Sequence, residues 1–317
     1  MTNPPAAEPQ SAAGRAAVVG VATAAGAAVL WGMGNVATHA VLDTGISVAA
    51  FTLIEIGTSI VFLAVVARIL RVPWLSIRRH ARIGALGILE PGLTYLVMNW
   101  GLAHTSVVHA SLIGATEPLL IALLAWVLIR SPLPRRLFLP MGTALIGTVL
   151  VVTTNADASG AHWLGDAAVA LGFVFASLYA VGSASVVADH PPLAVTLLQQ
   201  LFAYAVIAPP LLVVCAVSGV GTSTSGLAWA AVPVIGIATS SLTFWLYLTS
   251  LRHVSPGTTA QFLALIPITG FLGAVLILGE EASTGAFIGA AIVLVSLLTI
   301  ARMEHRAEVE AAQAVTA

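Results

Sequence analysis

The chain has no lysine and a single cysteine, Cys215, and only 8% of its 317 residues are charged. One cysteine excludes an intramolecular disulfide and a zinc site built from several thiolates; Cys215 reads as a small apolar filler. All twelve basic residues are arginine, which with the high Ala, Val and Gly content marks a GC-rich bacterial coding bias. Soluble domains carry about a quarter charged residues, so a chain this poor in charge cannot cover a water-facing surface and must be solvated mainly by lipid. The formal charge of −1, with no cluster of basic residues among aromatics, argues against nucleic acid as a partner. A phosphate-cradling G-x-x-x-x-G-K-[ST] loop is also missing, so the chain itself hydrolyses no ATP. There is no H-E-x-x-H, and His104 and His109 are five apart, off a shared helix face. An intramembrane enzyme would need a nucleophile with its base, or a metal cluster; neither is present, and no metal or cofactor is expected.

What the sequence has is apolar length: 59% of residues are apolar and mean hydropathy is +1.01. A hydrocarbon core of roughly 30 Å takes about 20 apolar residues per helix. On that measure ten spans fall near 16–38, 46–68, 83–103, 107–129, 138–153, 163–188, 193–217, 227–250, 257–279 and 284–301. The first is longer than a signal-peptide core and is followed by nine more, so it is expected to be retained. Residues 1–14 and 303–317 read as disordered tails. The arginines test the layout. Arg15, the groups Arg68 to Arg82 and Arg130 to Arg136, Arg252, Arg302 and Arg306 all fall on one side of a ten-span arrangement. By the positive-inside rule both termini are then cytoplasmic, in a bacterial inner membrane.

Residues 94–118 align without gaps to 243–267, with Thr94/Thr243, Leu102/Leu251, His104/His253, Ser106/Ser255, Ala115/Ala264 and Pro118/Pro267 identical. The offset of 149 residues is about half the chain, and LWGMGN (30–35) aligns with LYAVGS (178–183) at nearly the same offset. Two units, 15–153 and 154–302, are therefore expected. Five spans per unit is an odd number, so the second unit inserts upside down relative to the first. Inverted repeats with matched interruptions place a solute site near the midplane, between the units. The fold class read from the sequence is an all-α integral membrane protein of ten helices in two inverted five-helix repeats.

VLWGMGNVA (29–37), GLAHTSVVHASLIGATEPLLIALLAW (101–126) and VSPGTTAQFLALIPITGFLGAVLILGEEASTGAFIGAAIVL (254–294) together resemble the EamA-type branch of the drug/metabolite transporter superfamily. The resemblance covers about residues 16–301. It implies ten helices in two inverted repeats and export of a small organic solute, in exchange for protons. Two positions depart from the family pattern. Ser131 stands where the first half would repeat the LGE that ends in Glu280, and Glu55 stands where span 2 often carries arginine.

Three carboxylates lie inside predicted spans, Glu55, Glu90 and Glu117. Each costs about 2.5–3.5 kcal/mol at the bilayer centre on insertion scales, so such residues mark function. At about 1.5 Å per residue from the external ends, Glu55 and Glu117 lie roughly 14–15 Å deep and Glu90 roughly 20 Å. Helical spacing puts Gly87, Glu90, Thr94 and Gly101 on one face of span 3. Pro118 cannot donate to the carbonyl of Gly114, which opens the helix beside Glu117; Pro267 repeats that kink in the second half. The second half answers with neutral groups: Thr239 and Ile266 at the positions of Glu90 and Glu117, with Gln199 or Gln200, Tyr204, Ser240, Ser241, Thr243 and Gln261 nearby.

Acid on one side and neutral donors on the other suit a cationic or zwitterionic solute, such as an amino acid or amine. Candidate solute- and proton-binding residues are Glu117, Glu90, Glu55, Trp31, Asn35, Tyr95, Gln200, Gln261 and Trp245. Trp100 is a further candidate for the pocket wall, and His109 for a proton relay. Each also has a structural reading: a membrane glutamate can be protonated and packed, and most aromatics in spans are packing or interfacial anchors. Asp166 and Glu280 read as interfacial. Gly285 and Gly289 form a G-x-x-x-G, the mark of a close helix pair or a homodimer face. Besides a transporter, a non-transporting membrane scaffold or receptor fits the composition, and solute flux separates the two.

Overall fold

The computed structural model describes residues 9–130, 135–154, 163–183, 189–254 and 256–316. Apart from one β-bridge between Ile46 and Gly221, its regular structure is helical among the described residues. Four helices run uninterrupted through the first two-thirds: α1 (Pro9–Leu42), α2 (Val48–Ile69), α6 (Trp163–Ser183) and α7 (Pro192–Ser218). A fifth, α5 (Phe138–Thr154), follows a 3₁₀ turn at Arg135–Leu137, and α10 (Thr284–Thr316) ends the chain. The other four are broken. Helix α3 is Ala81–Gly87, a π-helical stretch Ile88–Leu93, then Thr94–Leu102; α4 is Val107–Gly114 and Glu117–Ile129. Helix α8 is Gly226–Ile235, a π-helical Gly236–Leu242 and Thr243–His253, and α9 is Pro256–Leu263, Leu265–Gly273 and Ala274–Leu278.

Among the described residues, six helical stretches are long and apolar enough to cross a membrane: Ala16–Leu42, Val48–Ile69, Val107–Leu128, Trp163–Ser183, Pro192–Ser218 and Gly226–His253. Three shorter apolar ones are Phe138–Leu150, Leu265–Leu278 and Thr284–Ile300. Val65, Ile69, Leu139, Val217, Leu227 and Leu276 point outward and are exposed, the side-chain chemistry that hydrocarbon solvates.

The interruptions have local causes, and they recur at the offset seen in the sequence. Pro91 has no N–H for the preceding turn, and Glu90 before it is extended (φ −143°, ψ 122°), as the residue ahead of a proline prefers. Thr94 Oγ1 donates to the carbonyl of Leu89 (3.0 Å) across the widened turn, and Thr243 Oγ1 does the same to Ala238 (2.7 Å). Both members of that bond are shifted by 149 residues. In α4 and α9 the helix restarts at Glu117 and at Leu265, so Pro118 and Pro267 each sit in a first turn, where a proline costs no hydrogen bond.

Close helix contacts also cross between the matched parts. Gly87 of α3 abuts the backbone of Gln199 on α7, and Gly236 of α8 abuts the backbone of Glu55 on α2. A Cβ at either place would collide with main-chain atoms. Helix α10 lies along α5. The backbone of Gly289 meets Gly147, Gly285 meets Thr154, and Thr143 and Ser296 hydroxyls are 2.9 Å apart. The G-x-x-x-G is thus occupied by a helix of the same chain.

At one end of the bundle, Glu280 accepts the backbone N–H groups of Val107 and Val108, both at 2.9 Å, and so caps α4. Asp166 accepts from the hydroxyl of Thr105 and lies 3.2 Å from His109 Nδ1. His39 Nε2 is 4.0 Å from Glu280, and its Nδ1 is 2.6 Å from the carbonyl of Leu102. The residues expected to be interfacial therefore tie the α3–α4 connection to α1, α6 and the α9–α10 connection.

Three expectations are corrected. Residues 303–316 continue α10 as helix rather than forming a disordered tail, because ARMEHRAEVEAAQAVT is rich in strong helix formers. Helix α1 likewise begins at Pro9, inside the predicted N-terminal tail. And regular helical spacing does not hold through Glu90. Gly87 turns to α7 and Gly101 to α6, against Gly165 and Val169, so they do not share one free face with Glu90. Ser131, residues 155–162 and residues 184–188 lie outside the described residues.

Candidate functional site

A cavity of about 180 Å³ opens where the broken helices meet α1, α2 and α6. Helix α1 contributes Trp31, Gly34, Asn35 and Thr38; α2 contributes Glu55; α3 contributes Glu90, Thr94, Tyr95, Met98 and Asn99. Glu117 and Ile121 come from α4, and Phe173, Ala176, Tyr179 and Ala180 from α6. Thr239, Tyr247 and Leu251 on α8, with Thr259, Leu263 and Ile266 on α9, close the wall. The three membrane carboxylates, from three different helices, face one space, and among the described residues no arginine or histidine lines it.

The carboxylates differ in what holds them. Glu55 is buried and both its oxygens have partners: Asn99 Nδ2 donates to Oε2 (2.8 Å) and Thr239 Oγ1 lies 3.1 Å from Oε1. Asn99 also donates to Thr52 (3.0 Å), and Thr239 is 2.9 Å from the carbonyl of Ile235. Tyr95 carries the network on, donating to the Thr239 carbonyl (2.9 Å) and accepting from Trp31 Nε1 (3.4 Å). Glu90 is only 8% exposed, and neither it nor the half-buried Glu117 accepts a hydrogen bond from another described residue. Both stand directly before a proline at a helix break, Glu90 in the π-helical turn of α3 and Glu117 at the restart of α4. The broken backbone is what lets these two side chains enter the cavity from the helix interior.

The walls are aromatic. Trp31 packs edge-on against Phe244 at 5.3 Å and tilted against Tyr247 at 5.6 Å, and Phe244 also meets the edge of Tyr179 at 5.9 Å. Asn35 presents an amide to the cavity and makes no hydrogen bond to another described residue.

Of the residues singled out from sequence, Glu55, Glu90, Glu117, Trp31, Asn35 and Tyr95 are thus brought together. Gln200 is fully buried elsewhere, donating to the Ser240 carbonyl (2.6 Å), and Trp245 packs with Leu63, Ala67, Leu193 and Leu197; neither lines this cavity. Gln261 is in α9, and its side chain lies outside the described residues. His109 is engaged with Asp166 at the end of the bundle, and Trp100 stacks on His104 at 4.1 Å. Sequence reasoning missed Asn99, Tyr179, Tyr247 and Phe173. Two of these had a signal. Asn99 is a lone amide in YLVMNWGL, four residues after Tyr95, and Tyr179 aligns with Trp31 in the pairing of LWGMGN with LYAVGS.

The fold has counterparts among known proteins. A solved crystal structure superposes with a TM-score of 0.63 at 18% identity, covering 91% of this chain and 98% of its own, which establishes the fold. A curated relative from Bacillus subtilis (strain 168), the "Uncharacterized transporter YyaM", is 26% identical over 227 residues, 68% of this chain and 70% of the relative. The EamA-like transporter family matches the chain twice, over residues 18–153 and again over 163–302. With both stretches matched and several helices apolar enough to cross a bilayer, this chain is a multi-pass membrane protein that belongs to the EamA-like transporter family.

Proposed function

We propose that the chain is a secondary exporter of a small cationic or zwitterionic organic solute, with protons moving the opposite way. It works as ten spans in two inverted five-helix units, in a bacterial inner membrane with both termini cytoplasmic. The observation that carries the reading is the cavity itself: three carboxylates and, among the described residues, no basic side chain around one space, at the junction of broken helices. Positive charge is what such a space attracts. The interruptions matched at 149 residues, and the cross-packing of Gly87 and Gly236, support a pair of units moving against each other around a central site. The one-sided arginines support the orientation, and the family supports transport rather than catalysis.

Proton exchange follows if solute and proton compete for one carboxylate, because binding of either then lowers affinity for the other. Glu117 is the residue assigned that competition, since it reaches the cavity and no other described residue donates to its oxygens. In liposomes with an imposed pH gradient and clamped membrane potential, the solute should accumulate on the acidic side, above the passive trapping seen in protein-free liposomes. Glu117→Gln should insert and fold but lose that accumulation, and Glu90→Gln should show a milder loss. Full gradient-driven uptake by Glu117→Gln would remove the coupling role and leave Glu117 as the charged first turn of a helix.

A further inference from the structure

Within the reading as a transporter of cationic solutes, we propose that Glu90 and Glu117 form a clamp for an ammonium group that carries N–H donors. The solute class is then a protonated primary or secondary amine with an aromatic or apolar body, and quaternary ammonium compounds are discriminated against. The argument starts from what each carboxylate lacks. Glu55 has its donors within the protein, from Asn99 and Thr239. Glu90 is more than nine-tenths buried, lines the cavity and has no donor from any described residue; Glu117 lines the same space and also has none.

Both side chains face the cavity, so when they are ionised their hydrogen bonds come from whatever fills it, and a solute that displaces water there has to bring donors of its own. An anion or a neutral apolar molecule cannot supply them. A quaternary ammonium supplies charge and a cation–π contact with Trp31 or Tyr247, but no N–H. A primary ammonium supplies three donors, and charge-assisted hydrogen bonds are about twice as strong as neutral ones. The rest of the solute then lies against the aromatic wall, with the Asn35 amide available to a hydroxyl or carbonyl at its far end.

The test is equilibrium binding to the purified full-length protein in lipid nanodiscs, using 2-phenylethylammonium and its N,N,N-trimethyl analogue as probes. These share one aromatic body and one charge and differ in N–H count. The primary amine should bind about tenfold tighter or more, and each added N-methyl group should lower affinity. Glu90→Gln and Glu117→Gln should each cut that preference, whereas Gly142→Ala, at a helix position outside the cavity with nothing within 4 Å, should keep it. Equal affinity for both probes, or tighter binding of the trimethyl compound, overturns the clamp. So does failure of both probes to bind while the same preparation moves another solute, and in that case the transporter reading stands. The wild-type comparison needs no variant to fold. The transporter reading fails separately, if a broad panel of cations, zwitterions and neutral solutes shows no protein-dependent flux.

Discussion

At Glu55 each carboxylate oxygen is met by a polar group, so removing its charge and removing its shape are different experiments. A glutamine there can accept from Asn99 through its carbonyl. Its amide can donate to the Thr239 hydroxyl, which has the Ile235 carbonyl as an alternative acceptor. Glu55→Gln should therefore unfold within about 1 kcal/mol of the parent, and Glu55→Leu, which strands Asn99 and Thr239 in a buried site, should lose about 1–3 kcal/mol. Thermal unfolding in detergent, followed by tryptophan fluorescence, checks both. Much of this site could be read from the sequence because charge inside an apolar span is conspicuous, which is how all three glutamates were found. Their division of labour could not. Whether Asn99 reaches Glu55 depends on how α2 and α3 are rotated against each other, and spacing along one helix does not contain that. The second Glu-Pro dipeptide, Glu90-Pro91, was in plain view. Treating span 3 as a regular helix hid it, since the 3.6-residue count assumes the very hydrogen bonds a proline removes.

Among the helices, the cross-packed pair Gly87 and Gly236 sets how closely α3 approaches α7 and α8 approaches α2. Their would-be Cβ atoms meet main chain, which cannot swing aside as a side-chain tip can. Gly87→Ala and Gly236→Ala should each destabilise by about 1–3 kcal/mol, the usual range for overpacking. Gly142→Ala, at a position with nothing within 4 Å, should be neutral or slightly stabilising. Monodisperse yield on size exclusion and the unfolding midpoint would report the contrast. Apolar run length placed the helices well, because the bilayer thickness imposes it. Helix ends beyond the apolar run were misjudged, because a polar Ala/Glu/Arg segment reads equally as a solvated helix or as an unstructured tail. Packing partners were not legible either: Gly285 and Gly289 serve the α5–α10 contact, and a small-residue pair does not say which helix it receives.

For the whole molecule, the ten-span orientation has a direct check. Reporter fusions at Ser131 and at the C-terminus should read cytoplasmic, and those near Asp157 and Thr222 external; a cytoplasmic result near Asp157 would break the inverted arrangement. A second consequence lies in the ties made by Glu280 and Asp166. The position matched to Glu280 at 149 residues is Ser131, and the one matched to Asp166 at the offset pairing Trp31 with Tyr179 is Val18. Acid ties therefore exist at one end of the bundle and have no acidic counterpart at the matched positions. If the proposed carrier alternates between two openings, such one-sided ties would favour one resting state, and a solute approaching through the less populated opening would bind with correspondingly lower apparent affinity. Glu280→Ala should even the balance. With Cys215 replaced and a single cysteine at Thr38 in the cavity wall, labelling by an impermeant thiol reagent should then quicken from one face and slow from the other. The protein would behave as a valve with a preferred resting side, set by two carboxylates outside the solute cavity.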